Sequence, residues 1–145
     1  MYDLILKNCK IVNENKIIES DIAIKNNRIE LIQASIDSES KKIVDVDGKY
    51  VLPGLIDDQV HFREPGITYK ADIATESRAA VAGGITSFME MPNTKPNALT
   101  QELLEDKYQL ASQKSMANYS FFMGASNDNL EQVLKTNPKK VCGVT

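Results

Sequence analysis

The sequence predicts an α/β protein that begins with a run of short strands and continues as alternating strands and helices. Residues 1–50 contain only short segments of alternating polarity separated by polar turns, and none of them has the pattern of a helix. From Val51 the pattern changes to strand, loop, helix and strand. This pattern is typical of a parallel sheet with right-handed crossovers, either doubly wound or closed into a barrel.

The first half of the chain is predicted to form small strands joined by tight turns. Residues 2–12 alternate in polarity on either side of a polar turn, which predicts two short strands. Asn26-Asn27 predicts a hairpin with a type I′ turn, because asparagine tolerates positive φ. Asp47-Gly48 predicts a second hairpin, between 44–46 and 50–52. A sheet of such strands needs a second layer over one face, and we expect that layer to come from elsewhere.

The second half is predicted to contain four strands and three helices. The predicted elements, in chain order, are a strand at 51–56, a helix at 75–82, a strand at 85–91, a helix at 100–115, a strand at 118–123, a helix around 130–134 and a strand at 140–144. Gly83-Gly84 ends the first helix, Thr100 caps the second and Asn137-Pro138 ends the third. This is half of an eight-fold barrel and stops inside an apolar strand, so we expect the N-terminal part of a longer or split chain.

Composition argues against several classes of function. Of the 145 residues, 42% are apolar and 26% are charged, which is typical of a globular protein that is soluble. A net charge of −3 with scattered basic residues argues against nucleic-acid binding, and no apolar run reaches the ~20 residues of a membrane span. Cys9 and Cys142 lack metal or disulfide spacing, and residues 1–10 lack a secretory pattern, so a cytoplasmic location is predicted.

The candidates for chemistry lie at the end of the first strand of the second half, because the active site of a parallel α/β barrel lies at the carboxyl ends of its strands. Four polar residues occupy alternate positions there: Asp57, Gln59, His61 and Arg63. An extended strand would place all four side chains on one side. Buried without partners they would cost roughly 1–3 kcal/mol each, whereas a metal with an anionic substrate would satisfy them. Residues 91–96 follow the next strand at the same level.

These two segments resemble a known family. The segment VLPGLIDDQVHFREPG at 51–66, followed by ESRAAVAGGITSFMEMPNTKP at 76–96, resembles the dihydroorotase, allantoinase and hydantoinase branch of the cyclic amidohydrolases, and the dihydroorotases most of all. The resemblance covers essentially the whole chain, and the two motifs together are specific to that branch. It implies an incomplete β-sandwich segment over 1–52 and the truncated first half of a (β/α)8 amidohydrolase barrel over 53–145.

The resemblance also implies roles for individual residues. The family's first strand carries Asp-x-His-x-His-x-Arg, in which both histidines bind zinc, while the arginine and the asparagine of the Met-Pro-Asn-Thr loop bind the substrate carboxylate. Carried over, His61 is a zinc ligand, and Arg63 and Asn93 anchor the substrate. Asp57 is an acid that supports the ligands without binding the metal. Gln59 replaces the first histidine and is a weaker zinc ligand, which could coordinate through its oxygen, hold a water or leave one metal poorly bound.

The implied activity is the reversible hydrolysis of dihydroorotate to N-carbamoyl-aspartate in pyrimidine biosynthesis. The resemblance implies one or two Zn2+ ions per subunit of a cytoplasmic homo-oligomer, either dimer or tetramer, with the catalytic residues expected after Thr145. An allantoinase or hydantoinase on the same scaffold is one alternative, although Arg63 and Asn93 argue against a substrate without a ring carboxylate. A catalytically impaired dihydroorotase-like subunit with a structural or interaction role is another, favoured only by Gln59.

Overall fold

Two units of different architecture make up the computed structural model, which describes residues 1–145. The first, Met1–Pro53, contains one five-stranded sheet, and the second, Gly54–Thr145, contains a four-stranded parallel sheet with three helices. The elements are β1 Leu4–Asn13, β2 Lys16–Lys25, β3 Arg28–Gln33, β4 Ile43–Asp45, β5 Tyr50–Val51, β6 Leu55–Val60, α1 Ile73–Ala82, β7 Ile85–Glu90, α2 Gln101–Lys114, β8 Asn118–Met123, α3 Leu130–Leu134 and β9 Gly143–Val144. The class is α/β, as predicted, and none of the helices has the length and apolar character needed to cross a membrane.

The hairpin predicted around Asn26-Asn27 is confirmed. β2 and β3 pair antiparallel with Lys25 opposite Arg28. Both asparagines have positive φ, 51° and 59°, as a type I′ turn requires. A second turn of the same kind, at Glu14 and Asn15, joins β1 to β2 with φ values of 48° and 60°. The sequence did not predict this turn, because glutamate rarely adopts positive φ.

The hairpin predicted across residues 44–52 is wrong. Asp47 and Gly48 do form a turn with positive φ, 55° and 68°. The strands on either side of it, β4 and β5, both pair in parallel with β1, one after the other along the same edge. Asn8, with φ 59°, forms a bulge in β1 where a polar turn was predicted, so β1 is one strand rather than two. Because the Gly48 N–H donates to the Asn8 carbonyl at 2.9 Å, the turn carries the chain past the bulge without reversing it.

Asp21 is the buried carboxylate of the first unit, with an exposed fraction of 4%. It accepts hydrogen bonds from Lys7 Nζ at 2.7 Å and from the backbone N–H groups of Asn8 and Ile36 at 2.9 Å each. Burial raises the pKa of this carboxyl, but the bonds from Lys7 and the backbone outweigh burial and hold the pKa below its ordinary value of 3.8. Asp21 therefore ties the bulge of β1 to the segment that follows β3.

We expect Asp21→Asn to destabilise the protein by roughly 2–3 kcal/mol, because the Lys7 ammonium and two N–H groups lose a charged acceptor. Since the folded-state pKa of Asp21 is lowered, its stabilisation is complete above a pH of about 4 and is lost as the pH falls through the folded value. Urea unfolding at several pH values, with hydrogen exchange in β2, measures both effects. Asp3→Asn, in an exposed ion pair with Lys41, is the control. Equal stability of Asp21→Asn and the parent protein at neutral pH would contradict this expectation.

The sheet of the second unit has the order β6-β7-β8-β9, with every neighbouring pair parallel. The predicted caps are present: Thr100 accepts from the Leu103 N–H at the start of α2, and α1 ends at Gly83. α1 begins two residues earlier than predicted, where Asp72 accepts from the Thr75 N–H. α3 is a short helix over the predicted range, whereas β9 has two residues and is shorter than the strand predicted at 140–144.

One hydrophobic cluster lies between this sheet and its helices. Its buried members are Phe62, Ile73, Phe88, Leu104, Ala111, Ala117, Phe121 and Met123. Phe62, two residues beyond the end of β6, packs against Phe88 of β7 with ring centroids 4.5 Å apart. This contact holds the segment after β6 against β7. Its neighbour His61 stays exposed at the same edge of the sheet.

Candidate active site

The segments that follow β6 and β7 bring together two of the predicted site residues. His61 Nδ1 lies 2.9 Å from Asn93 Oδ1, and both side chains are exposed. A carboxamide oxygen only accepts hydrogen bonds, so Nδ1 is the donor in this contact and Nε2 takes no part in it. Asn93 therefore orients the imidazole with one nitrogen free for a ligand. The amide nitrogen of Asn93 remains a donor for a second group.

Arg63 does not continue the alternation of β6. The strand ends at Val60, and Arg63 has φ 66°, in the left-handed region. A residue with a Cβ adopts this region at a cost of roughly 1–2 kcal/mol. The condition for placing all four side chains on one side, an extended strand through residue 63, is therefore not met, since the chain turns after the buried Phe62. The Arg63 carbonyl accepts from the Ile67 N–H at 3.0 Å, which closes the turn.

Asp57 and Gln59 do not join His61 in a metal-binding cluster. Asp57 accepts from the backbone N–H of Gln59 at 3.2 Å, within its own strand, and the Gln59 side chain is exposed. Nowhere in the chain do three or more His, Cys, Asp or Glu side chains gather closely enough to hold a metal ion. A protein zinc site has three or four protein ligands. Residues 1–145 offer one oriented imidazole nitrogen to a metal and do not complete a zinc site.

A buried glutamate, Glu64, anchors the segment that contains Arg63. Glu64 lies in the loop between β6 and α1, and its exposed fraction is only 5%. Its Oε2 accepts from the Ile73 N–H at 3.0 Å, at the start of α1, and its Oε1 pairs with Lys114. The bond with Glu64 raises the pKa of Lys114. A carboxylate is favourable at this position because the first N–H groups of a helix have no partner within the helix.

A second buried glutamate, Glu90, ends β7 and pairs with Lys107 of α2. The two side chains are fully buried, and Lys107 Nζ lies 3.1 Å from Glu90 Oε2. Burial raises the pKa of Glu90 and lowers that of Lys107, in each case against the effect of the partner's charge. Lys107 and Lys114 are seven residues apart, so one face of α2 supplies the cation for both buried glutamates. The sequence predicted neither pair.

The two site segments are also joined through their backbones. The Met91 N–H donates to the Val60 carbonyl at 3.0 Å, and the Lys95 N–H donates to the Pro65 carbonyl at 3.1 Å. Gly66, with φ 83°, lies against Lys95, and a Cβ added there would fall 2.7 Å from the Lys95 Cβ and 2.8 Å from its carbonyl carbon. Only glycine combines this φ with so close an approach.

We expect Gly66→Ala to separate the two site segments, because the added methyl group overlaps the backbone of Lys95. The cost should be roughly 2–4 kcal/mol of stability. Gly84→Ala is the matched control, since Gly84 also has positive φ, 89°, but nothing lies within 4 Å of its added Cβ. Urea unfolding measures the stability of both variants. Equal effects of the two substitutions would contradict a role for the close approach.

All the predicted site residues lie within the part of the chain that a protein-family model recognises. The model, described as Dihydro-orotase-like, matches residues 48–124. The chain belongs to the dihydro-orotase-like family. Among its curated relatives, an allantoinase from Desulfitobacterium hafniense (strain Y51) is 36% identical over 144 residues, which are 99% of this chain and 31% of the relative. A dihydroorotase from Fusobacterium nucleatum is 40% identical over 113 residues, which are 78% of this chain and 27% of the relative.

Solved structures place this dihydro-orotase-like chain in the same fold family. The L-hydantoinase from Arthrobacter aurescens superposes with a TM-score of 0.94 at 31% identity, over 99% of this chain and 32% of that protein. The chain thus spans about a third of the length of the relatives it matches. The relatives are cyclic amidohydrolases whose names divide among allantoinase, dihydroorotase and hydantoinase. The names of these relatives agree on a class of enzyme and differ in the substrate.

Proposed function

We propose that this chain contributes part of the active site of a cyclic amidohydrolase that hydrolyses dihydroorotate, and that its parallel sheet belongs to a (β/α)8 barrel. The likeness to L-hydantoinase supports the barrel. The contact between His61 and Asn93, at the edge where the parallel strands end, supports the location of the site. Cyclic amidohydrolase relatives support the reaction class.

The choice of dihydroorotate as the substrate depends on Arg63. Arg63 follows His61 by two residues in the segment after β6. Asn93, whose amide nitrogen is free to donate, lies in the segment after β7. Both groups donate hydrogen bonds, and a planar guanidinium matches a carboxylate in two parallel bonds. Dihydroorotate has a ring carboxylate, whereas allantoin and hydantoin do not. In this proposal Arg63 and Asn93 bind that carboxylate and orient the ring for attack at the amide.

We propose Zn2+ as the cofactor, with His61 as one ligand. The free Nε2 fits this role, because histidine ligands of metals characteristically donate their other N–H to an oxygen such as that of Asn93. The other ligands have to come from outside residues 1–145, with Asp57 and Gln59 as neighbours that support the site. A bound zinc would polarise the amide carbonyl and lower the pKa of the attacking water.

Parallel assays of the intact protein with dihydroorotate, allantoin and hydantoin test this proposal. We expect kcat/KM for dihydroorotate to exceed the other two values by at least about a hundredfold, because only dihydroorotate gives Arg63 a carboxylate. A higher value for allantoin or hydantoin would reassign the substrate. Metal analysis of the same sample tests the second candidate, an impaired subunit, which Gln59 favours. Less than one zinc per subunit together with no turnover of any of the three rings would support that candidate.

A further inference from the structure

Glu90 reaches the segments that follow both β6 and β7. It is the last residue of β7, fully buried, and lies three residues before Asn93. Glu90 is paired with Val60 in the parallel ladder of β6 and β7, and the backbone N–H groups of Phe62 and Arg63, in the segment that follows β6, favour its charged form. Neither oxygen of Glu90 accepts a hydrogen bond of standard geometry, so Glu90 acts on these N–H groups as a nearby buried charge. Glu90 thus acts on the backbone next to His61.

Lys107 makes the corresponding contact with the second segment. Its Nζ donates to the Met91 carbonyl at 3.0 Å while lying 3.1 Å from Glu90 Oε2. It also lies 5.0 Å from the ring centroid of Phe121. Met91 is the first residue of the turn that presents Asn93. One member of the buried ion pair therefore bonds to the backbone after β7, and the other lies beside the start of the segment after β6.

The left-handed turn at Arg63 is the feature that the buried charge of Glu90 stabilises. The two successive backbone N–H groups of Phe62 and Arg63 favour the anionic form of Glu90 through the kind of attraction that operates in backbone anion-binding nests. The attraction offsets part of the cost of φ 66° at Arg63. Packing alone does not require an ion pair, because apolar side chains of similar volume often replace buried ion pairs without loss of stability. The position of Glu90 and Lys107 beside the two site segments therefore indicates the role of the pair better than its burial does.

We propose that Glu90 and Lys107 are positioning residues for the substrate carboxylate, with Glu90 holding the turn at Arg63 and Lys107 holding the turn at Met91–Asn93. Neither side chain touches the substrate in this proposal. They act through the two donors that bind its carboxylate. The inference rests on the proposed function for the identity of the substrate. It adds that the Glu90–Lys107 pair is the reason why the two donors select a ring that has a carboxylate.

Kinetics of Glu90→Gln in the intact protein test the effect on the substrate. We expect KM for dihydroorotate to rise about tenfold with kcat changed less than about twofold, because a misplaced anchor weakens binding rather than the chemical step. The double variant Glu90→Gln/Lys107→Met leaves no unpaired charge and should show the same rise in KM. A rise in this variant cannot be attributed to misfolding caused by an unpaired buried charge. A loss confined to kcat, with KM unchanged in both variants, would overturn the proposal.

Hydrogen exchange separates this proposal from the proposed function. Amides in residues 61–66 should exchange at least about tenfold faster in Glu90→Gln, and those in 91–96 faster in the double variant, while β2 is unchanged. Asp3→Asn is the control. Unchanged exchange in both segments would overturn the positioning role even if the parent protein hydrolyses dihydroorotate. Faster exchange in a protein whose parent does not hydrolyse dihydroorotate would refute the substrate and support the positioning of the two segments.

Discussion

Replacing Arg63 by methionine in the intact protein is expected to lower kcat/KM for dihydroorotate by roughly 10²–10³-fold. Two charge-assisted hydrogen bonds to the substrate carboxylate, at about 1.5–2 kcal/mol each, account for a loss of this size. Methionine is unbranched and of similar length, so it places no greater demand on the backbone at φ 66° than arginine does. The loss should therefore reflect substrate binding and not unfolding, which circular dichroism and urea unfolding of the variant check.

Two further substitutions sharpen this prediction. Arg63→Lys keeps the charge and loses the planar fork, so its kcat/KM should fall by only about tenfold. Arg78→Met removes an exposed arginine of α1 and should leave kcat/KM unchanged. If Arg63→Met hydrolysed dihydroorotate as efficiently as the parent protein, the assignment of the substrate carboxylate to Arg63 would be refuted.

The largest effect on stability is expected from Lys107→Met, which leaves the buried carboxylate of Glu90 without its cation. Breaking a buried pair in this way costs roughly 3–5 kcal/mol. Burial already raises the pKa of Glu90, and loss of Lys107 raises it further. A raised folded-state pKa of an acid gives a penalty that is complete above that pKa and disappears as the pH falls towards the unfolded value. Lys107→Met should therefore regain stability on acidification from neutral pH, as measured by urea unfolding.

The double variant Glu90→Gln/Lys107→Met is the matched comparison, because it removes both charges. We expect it to recover most of the stability lost in Lys107→Met and to lose the pH dependence. Lys114→Met should have a smaller effect, since the Lys114 side chain is 39% exposed and water can solvate the charge of Glu64 in part. A Lys107→Met protein as stable as its parent at alkaline pH would show that the pair contributes no net stabilisation.

Local sequence patterns predicted most of the secondary structure correctly because the physics that determines them acts over a few residues. The turn at Asn26-Asn27 depends on two residues that tolerate positive φ, and the start of α2 depends on one side chain, Thr100. Asp47-Gly48 shows the limit of this approach. The same turn can join two strands that pair with each other or two strands that both pair with a third strand, as β4 and β5 do with β1, and the local sequence does not distinguish the two cases.

The part of the candidate site that depends on the order of the parallel strands could be predicted from the sequence. His61 and Asn93, 32 residues apart in sequence, come together because parallel strands end at one edge of the sheet. The burial of Glu64 and Glu90 was not predictable in this way, because each depends on a lysine 50 or 17 residues later in the chain. A glutamate next to a loop is usually solvated, and nothing in its immediate neighbours marks these two as exceptions.

The spacing of Lys107 and Lys114 makes α2 sensitive to a change in length. Seven residues are nearly two full turns, so both lysines point to the same side of the helix. Inserting or deleting one residue between them would rotate one lysine by about 100° relative to the other, and only one of the two glutamates could keep its partner. The segment from 107 to 114 should therefore tolerate exchange of its exposed residues far better than the gain or loss of a single residue.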